Sequence, residues 1–502
     1  MTYDVVVPTA GRPSLSVLLP ALAAGDGPLP ERVILVDDRA ERCSSLVAPR
    51  HLGPLTSRIT VVAGEARGPA AARNIGWRAA RAEWVAFLDD DVIPPPGWRA
   101  ELARDLDLPD AVAASQGRVR VPLPRDRRPT DWERNVAGLR EARWATADMA
   151  YRREVLAMVG GFDERFPRAY REDADLALRV VDAGRRIELG RRCVLHPVRA
   201  AAPSVSLAKQ AGNADDALMR ALHGRDWRER ARVPHGRRPR HLAVAGAGLA
   251  AVGAAAARRP ALAAAAGAAW LAGTAELAWA RIAPGPRTRD EVATMLWTSA
   301  LMPFAASAWW LYGVATVPRR LRGPGAPRPR PEAILFDRDG TLVVDVPYNG
   351  DPDRVQPMPG ARDALDRVRR AGLRIGVISN QSGIARGLLT REQVDSVNLR
   401  VESLLGPLGP VEICPHGPGD GCECRKPEPG MVLRAAARLG VQPSDVAVVG
   451  DIAADVDAAR AAGARGVLVP TDRTRREEVA AASEVAPDLG HAIDLLLEGG
   501  RS

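Results

Sequence analysis

Four short stretches of this chain gather side chains suited to phosphate chemistry. FDRDGT puts Asp337 and Asp339 at the end of an apolar run that reads as a buried strand. Two carboxylates two residues apart share a strand face. A turn at Gly340 lets both crowd one point at the carboxyl edge of a sheet, where open α/β folds bind ligands. VISNQSG ends another strand with Ser379, Asn380 and Gln381, and VVGDIAAD ends a third with Asp451, followed by Asp455. Between them, RKP supplies Lys426. The chain has 70 Lys plus Arg, and only Lys209 and Lys426 are lysines. Where arginine is the default cation, a lysine marks a place that wants a compact point charge. Just upstream, CPHGPGDGCEC places Cys414, His416, Cys422 and Cys424 as CxHx5CxC. Three thiolates and an imidazole close a tetrahedral site with no open position, so Zn2+ there would be structural. It would stiffen the loop that delivers Arg425 and Lys426.

The N-terminal half has its own acidic strand ends. VVVPTAGRP turns at Pro8-Thr9, VDDR carries Asp37 and Asp38, and FLDDD carries residues 89–91. GPAAARNIG runs from a Gly-Pro turn into a helix that holds Arg73. Later come GGFDERF, REDADLALR with Glu172 and Asp173, and LHP with His196.

The C-terminal set, over residues 332–475, resembles the haloacid dehalogenase (HAD) superfamily of phosphohydrolases: DxDGT, a strand-end Ser, a Lys and GDxxxD occur in order. The resemblance implies Asp337 as nucleophile forming an aspartyl-phosphate, and Asp339 as acid and base. Ser379 and Lys426 would hold the phosphoryl oxygens. Mg2+ would sit on Asp337, Asp451 and the backbone carbonyl of Asp339, with Asp455 supporting it. The zinc loop before RKP, with NQSGIARG, looks like the branch of heptose bisphosphate 7-phosphatases and histidinol-phosphate phosphatases. In that branch Asn380, Gln381 and Arg425 would touch substrate.

Residues 3–200 resemble the inverting family-2 glycosyltransferases with a GT-A fold. That implies Asp89 and Asp91 as a DxD pair holding Mg2+ or Mn2+, with His196 as a further ligand or else a solvated turn histidine. Pro8, Thr9, Asp37, Asp38 and Arg73 would line the nucleotide-sugar pocket, and Asp173 would be the general base. Asp148, in WATADMAYRRE, departs from the small or amide residue of relatives.

These sites need two α/β sheets. DVVVP, RVILVDD, ITVVAG and WVAFLDDD read as buried parallel strands, with LSVLLPALAAG and AAARNIGWRAARA as helices. AILFDRDGT, RIGVISN and VAVVGD start a second set. Between the two, 242–257 and 260–275 are Ala-rich uncharged runs, and 292–318 is long enough to span a bilayer. The expected organisation is a transferase domain over 1–204, a helical membrane-associated segment over 205–318, an extended Pro/Arg linker over 319–331 and a Rossmann-like HAD domain over 332–495. A net charge of +9, with arginines flanking the apolar runs, fits a membrane collar rather than a nucleic-acid partner. The five cysteines are no disulfide framework, and YDVVVP at the start reads as a strand rather than a signal peptide. Both sites need cytoplasmic metabolites, so an even number of crossings is expected: two, with the Ala-rich pair counted as one interrupted span or as one span and a surface helix. The function that the two resemblances imply is a two-activity sugar enzyme: a Mg2+-dependent phosphatase acting on a heptose bisphosphate, and a transferase moving a sugar from a nucleotide-sugar to a glycan or lipid-linked acceptor. The alternatives are a phosphatase for histidinol phosphate or another small phosphomonoester, and a half kept as a scaffold.

Overall fold

A computed structural model describes all residues except 42–45, 47–51, 323, 324, 328 and 499–502. It divides into two compact units, residues 1–327 and 328–502.

The first unit is built on a seven-stranded sheet: β1 (Tyr3–Thr9), β2 (Val33–Asp37), β3 (Ile59–Ala63), β4 (Trp84–Leu88), β5 (Val112–Arg120), β6 (Asp148–Arg152) and β7 (Arg186–Leu195), in the order β3-β2-β1-β4-β6-β5-β7. β1 to β4 run parallel, and β6 is antiparallel to both β4 and β5. Successive residues feed opposite cores, as a period of two requires. Val6, Ile34, Val36, Val85 and Phe87 face one side, and Val5, Val7, Val33, Leu35, Ala86 and Leu88 the other. ITVVAG departs from the expectation of burial: β3 is an edge strand whose residues are mostly exposed. The helix Pro69–Ala79 lies close on the sheet because of Gly76, where a Cβ would fall 2.2 Å from Val6 Cγ1.

Three long helices follow in the same unit: Arg238–Ala256, Pro260–Ile282 and Arg289–Arg322. The Ala-rich runs are thus two helices, with Arg258 and Arg259 at the corner between them. The last helix continues through residues 319–322, which were expected to be extended linker. That expected linker also falls on 323, 324 and 328, outside the described residues. Two of the helices, Pro260–Ile282 and Arg289–Arg322, are long and apolar enough to cross a membrane.

The second unit holds a five-stranded, wholly parallel sheet: β8 (Ala333–Asp337), β9 (Arg374–Asn380), β10 (Val411–Cys414), β11 (Val446–Gly450) and β12 (Arg465–Leu468), ordered β10-β9-β8-β11-β12. β8 is central. Its neighbours β9 and β11 run parallel to it, so all three end at the same edge, where the chemistry-bearing residues emerge.

Candidate active sites

At the carboxyl edge of the second sheet, Asp337 closes β8, Ser379 and Asn380 close β9, and Asp451 follows β11. The expected set converges. Lys426 Nζ lies 2.5 Å from Asp337 Oδ1 and 2.5 Å from Asp455 Oδ1, and donates to the Ile378 carbonyl at 3.2 Å. Gln381 Nε2 donates to Asp339 Oδ2 and to Ser379 Oγ, each at 2.8 Å. Two glycines make the crowding possible. A Cβ on Gly340, which has φ +87°, would meet Asp451 Oδ2 at 2.4 Å, and one on Gly450 would meet Asp455 Oδ2 at 2.2 Å.

Burial pushes Asp337 well above the usual carboxylate range. Lys426 opposes that shift, and Asp455, Asp339 and Asp451 add to it. Burial, then Asp455, raises Asp451 to about 7. Burial works against the charge of Lys426, but Asp337 and Asp455 outweigh it and hold the ammonium charged. Four carboxylates thus face one lysine and Arg338, which chelates Asp339 with Nε at 3.1 Å and Nη2 at 2.9 Å. That surplus of buried negative charge is the environment a divalent cation relieves. Carboxylate oxygens of Asp337, Asp451 and Asp455 lie within 4.8 Å of one another.

A cavity of about 320 Å³ opens over these groups. Asn380 lines it and also clamps the lysine loop, accepting from Lys426 N at 3.1 Å and donating to Lys426 O at 3.3 Å. Arg425 does not line it; its guanidinium donates to the His416 carbonyl at 3.3 Å. Arg338, Tyr348, Asn349 and Arg473 do line it and were missed. Arg338 sits inside FDRDGT, so its place beside the two aspartates was the one legible signal.

The Cys/His loop closes as its spacing suggests. Cys424 Sγ lies 3.4 Å from Cys414 Sγ, 3.5 Å from Cys422 Sγ and 3.2 Å from His416 Nδ1, and Cys414 Sγ lies 3.7 Å from both Cys422 Sγ and His416 Nδ1. A tetrahedron with metal–sulfur bonds of about 2.3 Å has edges of about 3.8 Å. The donor set therefore has the type and size for Zn2+.

In the first unit a cleft of about 580 Å³ is lined by Pro8, Thr9, Asp38, Arg73, Asp89, Asp91 and His196, as expected, and also by Arg12, Asp90, Arg199 and Lys209. The chain's two lysines thus fall one in each cleft. Asp90, the middle of the acidic triplet, orders the first loop by accepting from Thr9 Oγ1 at 2.7 Å and Arg12 Nη1 at 2.8 Å. Asp38 accepts from the backbone of Ala66 at 2.7 Å and Gly68 at 3.1 Å, which fixes the turn into the 69–79 helix.

Several expected residues stand differently. Asp37 is outside the cleft lining and chelates Arg39 at 2.7 Å and 2.8 Å. Asp173 is also outside the lining and accepts from its neighbour Ala174 N at 2.7 Å, and burial raises its pKa. Buried Arg73 bridges this helix to the cleft, holding Glu172 and Asp89 at 2.8 Å each. Asp89 therefore turns to Arg73, while Asp91 meets His196 Nε2 at 3.6 Å and Arg199 at 3.0 Å. Among the described residues, clusters of potential metal ligands form at the four residues of the Cys/His loop and at the three carboxylates Asp337, Asp451 and Asp455, but not at Asp89, Asp91 and His196. Asp148 does not line the cleft. It is fully buried on β6, paired with Arg192 at 2.7 Å and accepting from Trp98 Nε1 at 2.8 Å.

Comparison with known proteins fits this geometry. The HAD-hydrolase-like family model matches residues 423–494. D-glycero-β-D-manno-heptose-1,7-bisphosphate 7-phosphatase of Pseudomonas aeruginosa is 36% identical over 173 residues, covering 33% of this chain and 97% of that protein. Through its second unit, the chain belongs to the heptose bisphosphate 7-phosphatase family. The D,D-heptose 1,7-bisphosphate phosphatase of Bordetella bronchiseptica, solved with magnesium and phosphate, is 34% identical over 34% of this chain and 99% of its own, with a TM-score of 0.31. In the first unit, the Glycosyl transferase family 2 model matches residues 4–174. A mannosyltransferase from Pyrobaculum calidifontis, solved with GDP-Man and Mn2+, is 22% identical over 62% of this chain and 87% of its own, with a TM-score of 0.41.

Proposed function

We propose that the second unit removes a phosphate from a heptose bisphosphate and that the first transfers a sugar from a nucleotide-sugar to a glycan or lipid-linked acceptor. The observation that carries the first part is Lys426, one of two lysines, buried within 2.5 Å of Asp337 and Asp455 beneath an open cavity.

Asp337 attacks phosphorus and the bond from phosphorus to the sugar oxygen breaks. Asp339 gives its proton to the departing alkoxide. Asp339 then takes a proton from water, the hydroxide attacks the aspartyl-phosphate, and Asp337 is released with inorganic phosphate. Ser379 and Lys426 hold the phosphoryl oxygens through this sequence, and Gln381 orients Asp339. Mg2+ held by Asp337, Asp451 and the Asp339 carbonyl would supply the charge that lets a carboxylate approach a phosphate dianion. Zn2+ on Cys414, His416, Cys422 and Cys424 would fix the loop that carries Lys426. Arg425, bonded to His416 O, is the strut between that loop and the lysine.

In the transferase cleft, Asp91 and His196 are the pair suited to Mg2+ or Mn2+, with Asp89 joining when it leaves Arg73. Arg12, Arg73 and Arg199 face the developing diphosphate charge. Asp173, raised by burial, accepts the proton of the acceptor hydroxyl. The exposed apolar helices associate with the cytoplasmic face of the cell membrane.

Phosphate release should be compared for D-glycero-D-manno-heptose 1,7-bisphosphate and histidinol phosphate. A higher kcat/KM for the bisphosphate supports the assignment, and a preference for histidinol phosphate refutes it.

A further inference from the structure

The apolar run 292–318 looks uniform in sequence, but the helix that contains it has two faces. Met295, Ser299, Met302, Ala306 and Gly313 are buried, while Trp297, Leu301, Leu311 and Tyr312 are exposed. At about 100° per residue the first set falls on one side of the helix and the second on the opposite side.

The buried side is fastened to the transferase unit at both ends. Near the start, Glu291 Oε1 accepts from the backbone of Asp131 at 2.7 Å. Arg281 joins Asp131 Oδ2 at 2.9 Å to Thr298 and Ser299 of the helix at 2.8 Å and 3.0 Å. Near the end, Arg320 Nη2 donates to Asp215 Oδ1 and to the Arg165 carbonyl, both at 2.7 Å. In between, Gly313 lies so close to the 213–223 helix that a Cβ would fall 2.6 Å from Ala214 Cα. From Glu291 to Arg320 is about 44 Å of helix. A hydrocarbon core is about 30 Å thick. A helix crossing it would carry one of these fastened ends to the far side, away from the domain that holds the other. A core helix is equally excluded, because only 11% and 28% of the apolar windows of the two long helices are buried.

We infer that the chain does not cross the bilayer. The helices Pro260–Ile282 and Arg289–Arg322 form an outward layer that lies in one leaflet, with anionic lipid headgroups as its partner. The apolar payload is Leu262, Leu271, Trp279, Trp297, Leu301 and Leu311, all exposed. Exposed arginines border it at the helix ends: Arg258 and Arg259 at one corner, Arg287 and Arg289 at another, and Arg319 at the last. An apolar face rimmed by arginine matches the acyl boundary and phosphate layer of such a surface. Lying flat, the layer keeps the transferase cleft beside the membrane without any segment passing through it.

This rests on the membrane association proposed above, and the test separates the two. The full chain with Arg287→Cys, and separately with Arg319→Cys, is treated with a membrane-impermeant maleimide in right-side-out spheroplasts and in inverted vesicles. The parent chain serves as the baseline for the native cysteines. One-leaflet attachment gives no label above the parent in spheroplasts and one added label per chain in inverted vesicles, at both positions. Label at Arg287→Cys in spheroplasts overturns the inference while leaving membrane association standing. If the parent chain neither sediments with cell membranes nor floats with phosphatidylglycerol vesicles, both fall. A soluble dimer that covers the same face would show itself by that result.

Discussion

Replacing Lys426 by methionine keeps the length of the side chain and removes its charge. In the folded protein Nζ sits 2.5 Å from two carboxylates and is almost fully buried. Removing one partner of a buried ion pair typically costs about 3–5 kcal/mol of stability, because the remaining charge is left uncompensated. Here Asp337 and Asp455 lose their partner, with Asp339 and Asp451 nearby, so the upper end of that range is expected in the absence of divalent cation. The catalytic loss is separate. One preorganised donor to the transferring group is worth about 2.7–4 kcal/mol of barrier, or about 10²–10³ in kcat. Phosphate release by the full chain should therefore fall by about that factor, and added Mg2+ should restore stability more than rate. The assay is phosphate release at saturating substrate, alongside denaturant unfolding with and without Mg2+. A kcat within about threefold of the parent would refute the placement of Lys426 on the phosphoryl oxygens.

Other perturbations test other parts. Cys422→Ser should remove about one equivalent of zinc per chain, read by elemental analysis, and lower the thermal midpoint of the phosphatase unit before it lowers phosphate release at low temperature. Asp148→Asn should destabilise the transferase unit by about 3–5 kcal/mol, because buried Arg192 loses a charged partner, while KM for the nucleotide-sugar stays unchanged. Glu133 is held at about 2, first by its hydrogen bond to Arg127. A depressed carboxylate contributes stability above its unfolded value, and that stability is lost as pH falls from about 4.5 toward 2. Glu133→Gln should flatten the pH dependence of unfolding in that window and leave it unchanged near neutrality.

The site was legible in sequence where a buried strand ends in chemistry. β1, β2, β4, β8, β9 and β11 are apolar runs closed by Thr, Asp, Asn or Gly-Asp, and parallel pairing forces such ends together. β5, β6 and β7 were not legible. β7 reads RIELGRRCVL, with much of its length exposed, so no apolar run announces it. The reason for Asp148 was hidden in sequence because its partner Arg192 lies 44 residues away, and the β6–β5 and β5–β7 pairings together bring the two close. Asp37 and Arg425 are adjacent to site residues in sequence, but local partners, Arg39 and the His416 carbonyl, turn them aside. The two-faced helix was hidden because its buried face, which includes Met295, Thr298, Ser299, Met302 and Ala306, carries no charge and so does not stand out in an already uncharged run.

The most direct test of the central claim, that the chain carries two separate active sites, is one variant measured in two assays. Asp337→Asn in the full chain is predicted to abolish phosphate release from D-glycero-D-manno-heptose 1,7-bisphosphate while nucleotide-sugar turnover continues at the parent rate. Phosphate release that survives the substitution, or a transferase activity lost along with it, would contradict the account.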